Sequence, residues 1–222
     1  MKTKERAPIF ARLVSWVVTL SVPVVLVVAA VRILFNPFFL PFEYRLPGFP
    51  ADTYGFTTQE RIQWGKLAMD YLVNSSGVEF LGDLQFADGS PVYNERELEH
   101  MLDVKVVVQG TLKVGLAALV LLVVLGLWAW GSGWRRTFRK GLRRGGWLTV
   151  ILLGSVLLFS LLAFSVFFTA FHNIFFDPDT WRFLWSDTLI RLFPQRFWQD
   201  IMLYIGSMTL AGGLLLGKLV KV

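Results

Sequence analysis

The chain has 222 residues, of which 55% are apolar and 15% aromatic, and its mean hydropathy is positive. A soluble domain of this length needs more polar surface, so the composition points to a membrane protein. The net charge of +6 does not point to nucleic acid, because the basic residues cluster beside apolar stretches and not along a polar groove. Cysteine is absent, which removes disulfides, thiolate nucleophiles and cysteine-ligated zinc or iron–sulfur centres from the available chemistry.

Four apolar stretches, near 13–35, 106–130, 147–171 and 198–217, are long enough to cross a hydrocarbon core of about 30 Å, which takes about 20 helical residues. The first follows Lys2, Lys4, Arg6 and Arg12, as a secretory signal would. Its length and the lack of a small-x-small cleavage site predict an uncleaved anchor instead. The link 131–146 holds Arg135, Arg136, Arg139, Lys140, Arg143 and Arg144 with no acid, and Lys218 and Lys221 follow the last stretch. The positive-inside tendency therefore predicts cytoplasmic N and C termini in the cell membrane. Segment 36–105, with five basic and eleven acidic residues, then lies outside together with 172–197. The fold class expected is an all-α membrane bundle of four transmembrane helices, a single membrane domain over 1–222, with a small, mainly helical extracytoplasmic cap.

Within the cap, Thr57 and Glu60 form a capping box ahead of Ile62, Met69, Leu72 and Val73, which predicts an amphipathic helix ending at Asn74. Leu84–Phe86 and Pro91–Tyr93 flank Ala87-Asp88-Gly89-Ser90, the pattern of a short hairpin. Asn94 can cap a helix with Glu97 at its third position, and no Gly or Pro interrupts that helix before Gly110, so it can run straight into the second span. In the second outer segment Asp177-Pro178-Asp179 predicts a helix start, followed by an aromatic-rich stretch suited to the headgroup level, and Pro194 opens the last helix with Phe197 and Trp198 as interface anchors.

The two histidines, His100 and His172, both fall on the outer side. Between Trp147 and Phe176 there is no other ionisable residue. An isolated histidine there reads as an interfacial side chain reaching for water. A second one on the same side opens another reading, since an imidazole with a pKa of about 6.5 can serve as base when neutral and acid when protonated. Glu97 and Asp103, three residues either side of His100, can share its helix face and orient the ring, or belong to a solvated acidic face. Arg96, Lys105 and Arg191 can meet anionic headgroups or balance nearby acids. The histidines with Asp103 can also be read as metal ligands, although no His-Glu-x-x-His occurs. Ser186 beside Asp187 lacks a nucleophile elbow and reads as a helix cap. Lys113 marks the outer end of the second span or a polar pocket. Phe171, Phe175, Trp181 and Trp185, among further aromatics, form an interfacial belt or a cavity for acyl chains.

The stretch from Tyr93 to Lys105 around His100, Phe171-His172-Asn173-Ile174-Phe175-Phe176, Trp181, and Asp187 through Arg191 to Pro194 resemble the motifs of the bacterial lipoprotein intramolecular transacylases. The layout of spans and outer segments resembles that family over the whole chain, as do the 72 positions from His100 to His172. The resemblance implies a membrane-anchored diacylglyceryl lipoprotein as substrate, and transfer of its sn-2 acyl chain to the α-amino group of the N-terminal cysteine. It also implies that His100 and His172 are catalytic at the outer leaflet, that no cofactor is needed, and that the product is a lyso-form lipoprotein. Donor ester and acceptor amine then belong to one molecule, so no enzyme nucleophile is required. Arg191, Asn173 or an imidazolium are candidates to stabilise the oxyanion. Two other readings compete: a metal-dependent membrane hydrolase, and a non-enzymatic lipid-binding accessory protein.

Overall fold

A computed structural model describes residues 9–177 and 179–222. Lys2, Lys4, Arg6 and Pro178, used above for orientation and for a helix start, lie outside the described residues. Within them the chain is helical, with no strand: α1 (Ile9–Leu34), α2 (Phe39–Glu43), α3 (Thr58–Val73), α4 (Glu79–Gly82), α5 (Glu95–Gly131), α6 (Arg135–Leu162), α7 (Phe164–Phe175), α8 (Thr188–Leu192) and α9 (Gln195–Leu219). Four of these, α1, α5, α6 and α9, are long and apolar enough to cross a membrane. The chain divides into two compact units, one of Met1–Arg32, Leu112–Leu158 and Leu203–Val222, the other of Ile33–Thr111 and Phe159–Met202.

In the first unit the helices meet through small residues. α1 buries Ala11, Val14, Ser15, Val18, Thr19 and Val22, a stripe at the three- and four-residue spacing of one helix face. A Cβ on Gly141 of α6 would sit 2.8 Å from the Ser15 carbonyl oxygen, and one on Gly145 would sit 2.8 Å from that of Thr19. Gly146 presses in the same way on the backbone of Gly213 and Gly217 in α9. Gly141-x-x-x-Gly145 and Gly213-x-x-x-Gly217 therefore act as close-approach seams, which matter where lipid removes the hydrophobic drive for helix association. Thr19 Oγ1 donates to the Gly141 carbonyl at 3.2 Å, and Ser15 Oγ donates to that of Thr137 at 2.9 Å. The basic link is shorter than expected. Six Lys and Arg side chains lie on α6 itself, and the turn reduces to Ser132–Trp134, with Gly133 at φ +77°.

The second unit has a conventional core of Ala68, Tyr71, Leu81, Val92, Tyr93, Met101, Leu189 and Leu192. α3 starts at the predicted capping box, with both reciprocal bonds between Thr57 and Glu60 present. The hairpin is reduced to one antiparallel bridge between Gln85 and Pro91, closed over Gly89 at φ +82°. Pro91 has no N–H to extend a ladder. α5 runs unbroken from Glu95, as the absence of helix breakers predicts.

Two expectations fail. The third apolar stretch is not one helix: α6 ends at Leu162, Ala163 takes φ −142° and ψ 54°, and α7 restarts at Phe164. Ser160 and Ser165 flank the break, but neither Gly nor Pro occurs from 155 to 177, so the hydropathy profile gives no sign of it. The helix expected from Asp177 is also absent until α8. From 180 to 184 the chain is irregular, with Thr180 buried, Trp181 and Phe183 half-buried, and Arg182 and Leu184 exposed. Asp187 spends its carboxylate on bonds to other backbone and side-chain groups that hold this segment as a loop.

Candidate active site

The position of His100 follows from how α5 begins. The Asn94 N–H donates to Glu97 Oε2 at 2.9 Å, and the Glu97 N–H donates to Asn94 Oδ1 at 3.1 Å, a capping box that fixes the first turn. Glu97, only 1% exposed, also accepts the Leu189 N–H on Oε1 at 2.6 Å. One carboxylate thus caps its own helix and ties down the start of α8. Each such charge-assisted bond is worth about 1.5–3 kcal/mol. His100 comes one turn later and is buried.

His172 sits near the end of α7. Its Nδ1 lies 2.8 Å from the carbonyl oxygen of Phe168, one turn earlier. A carbonyl only accepts, so Nδ1 carries the proton, and the neutral ring keeps its lone pair on Nε2. The two imidazoles stack with centroids 6.0 Å apart and planes 19° from parallel. Aromatics surround them. Phe176 and Phe183 lie edge-on to His100 at 4.9 and 5.3 Å, and Phe168 and Trp181 lie 3.9 and 4.7 Å from His172.

Both rings lie outside the apolar stretches read from the sequence, which begin at 106 on α5 and end at 171, before His172. Burial makes the charged ring costly, and the His172 charge adds repulsion, so the His100 pKa falls to about 4. Burial also lowers the His172 pKa, opposed by the Phe168 carbonyl, which favours the protonated ring. Both imidazoles are therefore neutral near pH 7, and no imidazolium is held ready at rest. His100 Nδ1 and the indole Nε1 of Trp181 are buried and have no hydrogen-bond partner among the described residues. Burial raises the Glu97 pKa to about 7, against the two backbone N–H groups that favour its carboxylate.

The other sequence candidates separate into distinct roles. Glu97 bonds to Asn94 and Leu189 and to neither imidazole, so its three-residue spacing from His100 reflects capping and not ring orientation. Asp103 is half-buried and bonded to neither ring. Arg96 donates from Nη2 to Asp187 Oδ2 at 2.8 Å, and Asp187 also accepts from the Leu184 N–H and from Asn94 Nδ2. Asp187 thereby anchors the loop that carries Phe183 to the beginning of α5. It does not cap α8 with its side chain. Arg191 is committed elsewhere: its Nη2 donates to Asp52 at 3.0 Å and its guanidinium covers Phe56 at 3.6 Å. Lys105 bonds to Asn74 and Ser76 over the ring of Tyr71. Asn173, Phe171, Phe175 and Trp185 are exposed, with Phe171 at 4.8 Å from Phe175. Among the described residues no three His, Asp or Glu side chains gather as a metal site requires. The Phe168 carbonyl was readable only as a four-residue spacing, and Asp52 lies 139 positions from its partner.

The profile of the family described as lipoprotein intramolecular transacylase Lit matches residues 16–198. The chain belongs to this family. It is accordingly an acyltransferase, and its fold is that of an integral membrane protein. A solved structure of Lit from Bacillus cereus aligns with a TM-score of 0.79 at 22% identity, covering 95% of this chain and 94% of that one. A variant of the same Bacillus cereus protein with one histidine replaced by alanine aligns with a TM-score of 0.74 at 21% identity, covering 95% and 92%. An uncharacterised protein of Aquifex aeolicus is 29% identical over 92% of this chain and 91% of its own length. Family membership establishes lipoprotein acyl transfer, and the four spanning helices agree with it.

Proposed function

We propose that this Lit family member moves the sn-2 acyl chain of a diacylglyceryl lipoprotein to the α-amino group of that lipoprotein's N-terminal cysteine, using His100 and His172. The observation that carries the proposal is the buried, stacked imidazole pair in an aromatic wall, both rings neutral at rest. An α-ammonium has a pKa of about 7.7–8.0, so a neutral imidazole can take its proton. His172 is the better base, because the Phe168 carbonyl orients the ring, leaves Nε2 free and favours its protonated form.

The freed amine attacks the ester carbonyl, forming a C–N bond and a tetrahedral oxyanion. Its nitrogen is now far more acidic, and His100 takes the second proton. An imidazolium with a depressed pKa is a strong acid, suited to protonating the glyceryl oxygen as the C–O bond breaks. The products are an amide and a free 2-hydroxyl, and His172 returns the first proton to solvent. The unpartnered indole N–H of Trp181, on a ring packed against His172, is the donor we assign to the oxyanion. Arg191 and Asn173 lose that assignment, the first to Asp52 and the second to exposure.

The test is mass spectrometry of a lipoprotein's N-terminal lipopeptide from cells without other N-acylating enzymes, with and without this chain. Expression should convert diacylglyceryl lipopeptide to an N-acyl, monoacylglyceryl form of identical mass and different fragmentation. A free fatty acid and an unacylated amine would show hydrolysis instead. Trp181→Phe should lower kcat with little effect on KM.

A further inference from the structure

A second feature of the unit that holds the histidines takes no part in this chemistry. Asp52, Tyr54, Arg61, Trp185, Arg191 and Pro194 help line a cavity of about 260 Å³. A water occupies about 30 Å³ of liquid, so the space exceeds a bare inorganic anion. Two guanidiniums and one carboxylate leave the lining one positive charge in excess. Arg61 is 4% exposed and spends Nη1 on the Pro50 carbonyl and Nη2 on that of Leu192, while its buried Nε has no partner. Arg191 satisfies Asp52 through Nε and Nη2, and among the described residues its Nη1 has no hydrogen-bond partner. The Arg191 charge disfavours that of Arg61, while Asp52 favours it. The Glu60 carboxylate, outside the lining, also attracts Arg191 and offsets part of that excess, and two guanidiniums lining one cavity still suit a phosphate or carboxylate.

The position of the cavity selects among anions. Pro194 directly precedes α9, which is long and apolar enough to cross the membrane, so the lining adjoins a span end. Trp185 and Tyr54 stand 74% and 53% exposed beside it, as aromatic side chains do at headgroup depth. We propose that this cavity binds the phosphodiester headgroup of an anionic membrane phospholipid, gripped by Arg191 Nη1 and held by the buried charge of Arg61. The site is independent of the acyl-transfer reading and fails or stands without it.

Native mass spectrometry of the purified full-length protein tests this, with phosphatidylglycerol and inorganic phosphate as separate probes. The wild type should retain one phosphatidylglycerol, and inorganic phosphate alone should not bind at millimolar concentration. Arg191→Gln should weaken lipid binding by about tenfold or more, the worth of one charge-assisted hydrogen bond. Asp52→Asn should strengthen it, because the competing carboxylate is gone. A general loss of folding would weaken both variants, so opposite signs distinguish the proposal from damage. Equal lipid binding by wild type and Arg191→Gln, weaker binding by Asp52→Asn, or tight binding of phosphate alone would each overturn it.

Discussion

The two compact units are built by different means. In one, helices touch at backbone distance through Gly141, Gly145, Gly146, Gly213 and Gly217, and specificity lies in what is missing, the side chains that would keep helices apart. In the other, buried carboxylates reach across long sequence separations: Glu97 to Leu189, Asp187 to Arg96, Asp52 to Arg191. The first arrangement tolerates any apolar residue on its lipid face but no added bulk at its seams. The second fixes the angle and environment of two imidazoles and tolerates little change in polar groups. Membrane packing and site construction thus respond to opposite kinds of substitution.

That contrast can be broken at several points. His100→Ala and His172→Ala should each reduce lipopeptide conversion by about 10²–10⁴-fold, the usual worth of a positioned acid or base, with the protein still folded and inserted. Gly146→Leu should act on stability. Its Cβ would meet the Gly213 oxygen at 2.6 Å and the Gly217 nitrogen at 2.7 Å, backbone atoms that cannot rotate away. A loss of about 3 kcal/mol is expected, at the upper end of overpacking, seen as a lowered Tm in detergent. Asp187→Ala frees the loop behind Phe183 and should cost about 10- to 100-fold in kcat through misplacement, with Tm changing less than in Gly146→Leu.

The smallest effect is in pH. Both histidine pKa values lie below the ordinary 6.5, so the rings stay neutral as pH falls through 6.5, and the rate should hold there. It should fall only at lower pH. Stability follows the same sign. Depressed pKa values mean the unfolded chain binds protons more readily, so stability is complete above about 6.5 and is lost toward pH 4, where His100 titrates. Glu97 runs the other way. Its raised pKa makes its contribution greatest below about 4.5 and smaller as pH rises through about 7. A rate that halves on passing pH 6.5 would show that at least one ring is solvated.

What could be read from the sequence was whatever depends on local spacing. Span number followed from hydropathy, and the starts of α3 and α5 followed from Thr57 with Glu60 and Asn94 with Glu97. The two histidine motifs pointed to the family before any geometry was known. Three things were beyond reach. The break at Ala163 sits in a stretch that stays apolar apart from scattered Ser and Thr, so hydropathy does not mark it. Glu97 lies three residues from His100, and spacing suggested ring orientation, but beyond its capping bond to the Asn94 N–H its partner is an N–H 92 positions away. The segment 180–187 has helical composition but takes loop form, because Asp187 is bonded to Arg96, Leu184 and Asn94. Long-range partners for short polar side chains decided each case in the second unit, and single-sequence periodicity contains no information about them. The glycine seams are visible in the sequence as two Gly-x-x-x-Gly runs, but spacing alone does not say which helix each one meets.

The central claim is that His100 and His172 act as one proton-handling unit. Groups that act as a unit lose most of their function when either is removed, so their effects do not multiply. The decisive measurement is the rate of lipopeptide conversion by His100→Ala, His172→Ala and the double variant, at matched levels of inserted protein. The account predicts that the double variant is about as slow as the slower single. Losses that multiply, or a single variant at the wild-type rate, would contradict it.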